Sequence, residues 1–156
     1  MVSDPPIRVL FVDDEPGMLQ AIRDYLSIVH SIGVDICNSG AEALTREDLF
    51  GFDCLIIDYE MPDIDGIVLL KEIRQMNTDI PIIIFTGKGH EDVAMEAINA
   101  GADFYIKKGG NPEELFTELA HFIRTGVSRH RAEQSLVEKE RRYRAVVEDM
   151  TEFVCR

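Results

Sequence analysis

An open, parallel α/β sheet with helices on both faces is the fold class this sequence predicts. Short apolar runs alternate with amphipathic helical stretches five times over about 125 residues. The connections between them are short, as in β-then-α units wound into one sheet. The central runs, Cys54–Ile57 and Ile82–Phe85, are continuously apolar, which suits strands covered on both faces. No Gly-x-Gly-x-x-Gly follows the first run; Asp13, Asp14 and Glu15 stand there instead. A dinucleotide site is therefore not expected, and the remaining common doubly wound strand order is 2-1-3-4-5, with its switch point between strands one and three.

The elements follow in order. IRVLFV at 7–12 is β-rich and ends in acids. Pro16 suits the first turn of a helix, where its missing N–H costs nothing, and Met18, Ile22, Tyr25, Leu26 and Val29 recur at helical spacing. Val34–Cys37 reads as the second strand, and Ser39-Gly-Ala-Glu42 is a capping box opening a helix over about 40–48. The third strand, 54–57, runs into Asp58 and a loop rich in acids, Pro62 and Gly66 that cannot stay helical or extended. A third helix starts near Asp65. Strand four, 82–85, ends in Thr86 and a Gly-rich loop, Gly87-Lys-Gly89. Helix four covers about 90–99 and stops before Gly101. Strand five, 104–106, ends in Lys107 and Lys108. Asn111, Pro112 and Glu114 start a fifth helix, with Leu115, Leu119, Phe122 and Ile123 as its apolar face.

The chain has 156 residues, 46% hydrophobic, with a net charge of −13. This suggests one domain with a proper core and an appendage, and it disfavours non-specific binding to nucleic acid or an anionic membrane. No apolar run approaches the roughly 20 residues of a membrane span. The first ten residues lack the basic stretch of a secretory signal. Cys37, Cys54 and Cys155 are odd in number and far apart, which predicts reduced thiols in a cytoplasmic setting. Residues 1–126 carry 23 acidic and 9 basic side chains, whereas residues 127–156 carry 6 and 7. The shift predicts a domain over 1–126 and a separate tail over 127–156.

In the expected strand order, Asp13, Asp14 and Asp58 share one crevice at the carboxyl edge of the sheet, and Thr86 and Lys108 lie on the same rim. Clustered carboxylates repel, and one protonates unless a cation joins them. A cluster of oxygens without His or Cys suits Mg²⁺ or Ca²⁺. An Asp carboxylate can act as a nucleophile toward phosphorus, Lys108 could neutralise the added charge, and Thr86 could donate to a new phosphoryl oxygen. Asp63 and Asp65 read more simply as solvated or helix-capping acids.

Four stretches, FVDDEP at 11–16, IIDYEMPDIDG at 56–66, PIIIFTG at 81–87 and GADFYIKK at 101–108, together resemble the receiver domain of two-component response regulators over about residues 5–126. The resemblance implies a flavodoxin-like (βα)5 fold and a phosphorylation switch rather than an enzyme with a separate substrate. It implies Asp58 as phosphoacceptor, and Mg²⁺ held by Asp13, Asp14, Asp58 and the Glu60 backbone carbonyl. It also implies Thr86 and Tyr105 as the switch pair and Lys108, rather than Lys107, as the phosphate-binding lysine. Helix four, strand five and helix five would form the output face, and a histidine kinase or phosphotransfer protein would be the partner. The family usually has Pro directly after that lysine, where this chain has Gly109-Gly110. Two other functions remain open at this point: an interaction module that is never phosphorylated, and a Mg²⁺-dependent phosphatase with Glu60 as general acid.

Val127 to Met150 is charged, lacks Gly and Pro, and reads as helix. Ala132, Leu136, Lys139, Tyr143, Val146 and Met150 alternate by four and three, the seam of a coiled coil of under three heptads. A homodimer through this helix is weighed against a solvated extension of helix five. Glu140 to Arg156 resembles the opening of a PAS sensory domain, so a truncated PAS start and a multidomain parent are expected.

Overall fold

The computed structural model describes residues 5–76, 79–87 and 91–154. Cys155, His90 and the Lys88-Gly89 part of the Gly-rich loop, on which sequence expectations fall, lie outside the described residues. The elements are β1 (Ile7–Val12), α1 (Pro16–His30), β2 (Ile32–Cys37), α2 (Gly40–Thr45), β3 (Cys54–Asp58), α3 (Gly66–Met76), β4 (Ile82–Thr86), α4 (Glu91–Asn99), β5 (Phe104–Lys107) and α5 (Pro112–Val154). All strand pairs are parallel, in the order β2-β1-β3-β4-β5, as the sequence predicts.

Strand residues alternate between two buried faces. Val9, Phe11, Ile56, Ile83 and Phe85 pack against Leu19, Ile22 and Leu26 of α1 and Leu115, Leu119 and Ile123 of α5. Leu10, Val12, Leu55, Ile57, Ile82 and Ile84 pack against Ala43 of α2, Leu70 and Ile73 of α3, and Val93 and Ala97 of α4. β3 and β4 are buried along their whole lengths, which is why their sequences show no polar alternation.

Local chemistry sets most boundaries. α1 opens on Pro16 and closes at Ser31, whose left-handed φ of 57° lets its N–H reach the Leu26 carbonyl. Ser39 Oγ accepts from Glu42 N–H at 3.1 Å, and Glu42 Oε2 accepts from Asn38 N–H at 3.1 Å, a reciprocal cap at the start of α2. Three details depart from the sequence reading. β2 begins at Ile32, two residues early, because Ile32 pairs with Ile7 at the end of the ladder. α2 stops at Thr45, short of the expected end near residue 48, and a separate 3₁₀ turn follows at Leu49–Gly51. In α1, Leu19 is buried while Val29 is 56% exposed, because the helix turns its 19-22-26 stripe to the sheet.

α5 runs without a break through Gly126. Val127, one residue past the charge shift, is still core, and a side chain on Gly126 would meet Pro81 at 3.3 Å and a Phe104 ring carbon at 3.4 Å. Gly126 thus lets the helix lie close to the sheet. Three arginines hold the point where α5 leaves the domain. Arg124 donates to the His30 carbonyl at 3.0 Å, Arg131 donates to the Pro5 carbonyl at 3.1 Å and pairs with Asp53 at 3.3 Å, and the Arg129 guanidinium lies 5.7 Å from the centre of the Phe104 ring.

Candidate functional site

Register brings the acids together. Val12 pairs with Ile57, so the next residues, Asp13 and Asp58, stand side by side where β1 and β3 end. Asp13 is fully buried and Asp58 is 4% exposed, while Asp14 is exposed at the rim. One carboxylate oxygen from each of the three lies within 4.8 Å of the others. β5 pairs Lys107 with Thr86, and the Lys108 N–H donates to the Thr86 carbonyl at 2.6 Å. This turn aims Lys108 inward: its Nζ donates to Asp13 Oδ2 at 3.1 Å and to Asp58 Oδ1 at 3.3 Å. Lys107 is exposed, because adjacent strand residues point to opposite sides. The Lys108 ammonium also lies 5.2 Å from the centre of the Phe85 ring.

The electrostatics are unbalanced. Burial, then the Asp13 charge, pushes the Asp58 carboxyl up to about 6 against the opposing pull of Lys108. Burial also works against the Lys108 charge, but Asp13 and then Asp58 outweigh it and raise its pKa. The Lys108 charge therefore does not by itself offset the carboxylates beside it, and burial with the Asp13 charge opposes ionisation of Asp58. A set of carboxylate oxygens with residual negative charge and an exposed mouth at Asp14 fits a hard divalent cation.

Thr86 is fully buried, and its Oγ1 has no hydrogen-bond partner among the described residues; the same holds for the Tyr105 hydroxyl. Burial raises the Tyr105 pKa. The site thus holds an unengaged hydroxyl on the strand next to Asp58 and a half-buried phenol one strand further on. Asp63 and Asp65 take structural places. Asp63 Oδ2 accepts from Ala41 N–H at 2.8 Å, and Asp65 Oδ1 accepts from Ile67 and Val68 N–H, both at 2.9 Å, capping α3. Glu60 is exposed, and its backbone N–H helps hold the Asp58 carboxylate charged. Gly109 and Gly110 both take positive φ, 140° and 75°, a turn that glycine makes without strain.

Two contributors escaped the sequence reading. Gly66 donates its N–H to the Tyr59 carbonyl at 2.9 Å, and a Cβ there would stand 2.9 Å from Tyr59 Cα and overlap the Asp58 carbonyl. The strand end that carries Asp58 therefore rests directly on Gly66. Arg74 donates to the Ile80 carbonyl at 2.7 Å, the Gly101 carbonyl at 2.9 Å and Asp103 at 3.0 Å, tying α3 to the starts of β4 and β5. Gly66 was visible as the end of a short loop, but the close approach was not. Arg74 gave no local signal.

Comparisons with known proteins agree with this geometry. A receiver domain protein from Clostridium thermocellum superposes with a TM-score of 0.72 at 29% identity, covering 81% of this chain and 98% of that one. A CheY-like receiver domain protein from Methanospirillum hungatei JF-1 gives 0.69 at 26% identity, covering 80% and 99%. The transcriptional regulatory protein TrcR of Mycobacterium tuberculosis is 33% identical over 121 residues, 76% of this chain and 46% of that protein. The response regulator MprA of Mycobacterium leprae is 30% identical over 118 residues, 76% of this chain and 51% of that protein. The chain thus spans about half the length of these curated relatives. Residues 9–120 match the response regulator receiver domain, and the chain belongs to that family.

Proposed function

We propose that this receiver domain works as a phosphorylation switch with Asp58 as the acceptor. The observation that carries the reading is the Lys108 ammonium between Asp13 and Asp58, 3.1 and 3.3 Å away, with the unengaged Thr86 hydroxyl on the neighbouring strand. An Asp58 oxygen attacks phosphorus in line. The P–N bond to the donor imidazole breaks, its electron pair returns to the ring nitrogen, and a mixed anhydride forms on Asp58. Lys108 moves with the gained charge and pairs with a phosphoryl oxygen. Thr86 turns its hydroxyl toward another, and Tyr105 repacks into the space this opens. The face made by α4, β5 and α5 then changes its balance of states.

Asp13, Asp14, Asp58 and the Glu60 backbone carbonyl would hold Mg²⁺. When bound, the ion supplies neutralising positive charge for the phosphoryl oxygens. The domain modifies itself rather than turning over a separate substrate, and hydrolysis of its own anhydride resets it. A histidine kinase or phosphotransfer protein is the phosphoryl source. The acidic balance of residues 1–126 argues against nucleic-acid contact by the receiver itself. Among the described residues no helix is long and apolar enough to cross a membrane, in keeping with a cytoplasmic site of action. The stretch from Glu140 onward is read as a linker leading into a PAS domain of a larger signalling protein, with self-association through distal α5.

Intact-protein mass after incubation with Mg²⁺ and acetyl phosphate tests the reading. A single phosphoryl adduct, absent with EDTA and in Asp58→Asn, is expected. Folded protein that binds Mg²⁺ but gains no adduct would instead be an interaction module. Steady release of phosphate from a small ester would favour a phosphatase.

A further inference from the structure

Beyond Arg131, α5 leaves the domain and carries an apolar stripe with no partner among the described residues. Leu136 is 69% exposed, Tyr143 70% and Met150 63%. Monomeric surfaces scatter such residues singly; here they recur on one line. Ala132, which starts the line, lies nine residues after the core residue Ile123, about two and a half turns. The stripe therefore faces away from the receiver's own core. On the same meridian within the receiver stand Glu114, Glu118 and His121, all exposed.

We propose that a second copy of this chain packs antiparallel along the stripe of α5. The pairing rests on the self-association proposed for distal α5 and adds its orientation, which charge decides. Leu136, Tyr143 and Met150 take the a positions of a heptad, and Lys139 and Val146 the d positions. Parallel pairing sets Lys139 against Lys139 of the second copy and Arg142 against Val147. It also runs the Glu114 and Glu118 edges of the two receivers side by side. Antiparallel pairing centred between Tyr143 and Val146 sets Lys139 against Met150, Tyr143 against Val146, and Arg142 against Asp149, with each contact made twice. The Lys139 stem covers apolar surface while its ammonium stays wet near Asp149. Arg142 holds Glu138 of its own helix at 2.6 Å and has donors left for a second carboxylate. Residue 154 then falls opposite residue 135, beyond the core residue Val127 and the contacts of Arg131 with Pro5 and Asp53.

Light scattering of the full chain at about 100 µM is expected to read twice 17.6 kDa. The dimer should persist in Asp58→Asn, which separates its failure from that of the phosphorylation reading. Lys139→Cys and Met150→Cys, each in a Cys155→Ser background, should form a disulfide only when the two proteins are mixed. Arg142→Asp should weaken the dimer about five-fold, from two exposed pairs at about 0.5 kcal/mol each. Adding Asp149→Arg should restore it. A mass of one chain at every concentration overturns the self-association. A disulfide in Lys139→Cys alone, or no rescue by the charge swap, overturns the orientation.

Discussion

Replacing Asp58 by Asn should make the metal-free protein more stable. Burial and the neighbouring Asp13 raise the Asp58 carboxyl from 3.8 to about 6. That difference, about 2 pH units at 1.36 kcal/mol each, is worth roughly 3 kcal/mol. The folded protein binds this proton more tightly than the unfolded chain, so ionising Asp58 opposes folding. The penalty is fully present above pH 6, shrinks as the pH falls through 6, and is gone below 3.8. The amide introduced by Asp58→Asn carries no charge and still accepts from Lys108, though more weakly, so the expected net gain is about 2 kcal/mol at pH 7.5. The gap should fall to about a third by pH 5, because protonation relieves the wild type alone. Urea unfolding of both proteins in EDTA at several pH values measures it directly. Saturating Mg²⁺ should raise wild-type stability and close much of the gap by mass action. A variant no more stable than wild type at pH 7.5, or a gap that ignores pH, would refute the reading that burial and Asp13 oppose ionisation of Asp58.

Other perturbations reach the supports of the site. Lys108→Met removes the ammonium between Asp13 and Asp58 and should cost about 2–3 kcal/mol without metal, with slower adduct formation in the mass assay. Gly66→Ala should destabilise by about 2–3 kcal/mol through overpacking against Asp58 and Tyr59, and the rate of adduct formation should fall with the melting temperature because the acceptor strand end must shift. Arg74→Met leaves the Ile80 and Gly101 carbonyls and Asp103 short of a donor; a loss of about 2–4 kcal/mol in urea unfolding is expected, with Mg²⁺ affinity unchanged by fluorescence or calorimetric titration. Ser39→Ala should cost only about 1 kcal/mol and leave both metal binding and adduct formation at wild-type levels.

Strand order and the composition of the candidate site are both written in one dimension. A strand buried on two faces must be apolar throughout, and a residue directly past a strand end must lie at the sheet edge. Asp13, Asp14, Asp58, Thr86 and Lys108 each sit one or two steps past such a run, so their meeting was legible from the chain alone. The preference for Lys108 over Lys107 came from a family resemblance, and the structure supplies a geometric account of it: Lys107 still pairs in the ladder beside Thr86, so the next residue turns in. The other features needed three dimensions. The close approach of Gly66 to Asp58 depends on a loop folding back on its own strand, and the reach of Arg74 depends on which strand starts lie under α3. Charge composition marks a shift near Gly126, but that α5 passes through it as one helix, held close to Pro81 and Phe104 by Gly126, needed the packing to be seen. Periodicity identifies a face but not the few tens of degrees by which a helix turns it, which is why Leu19 and not Val29 lies inside.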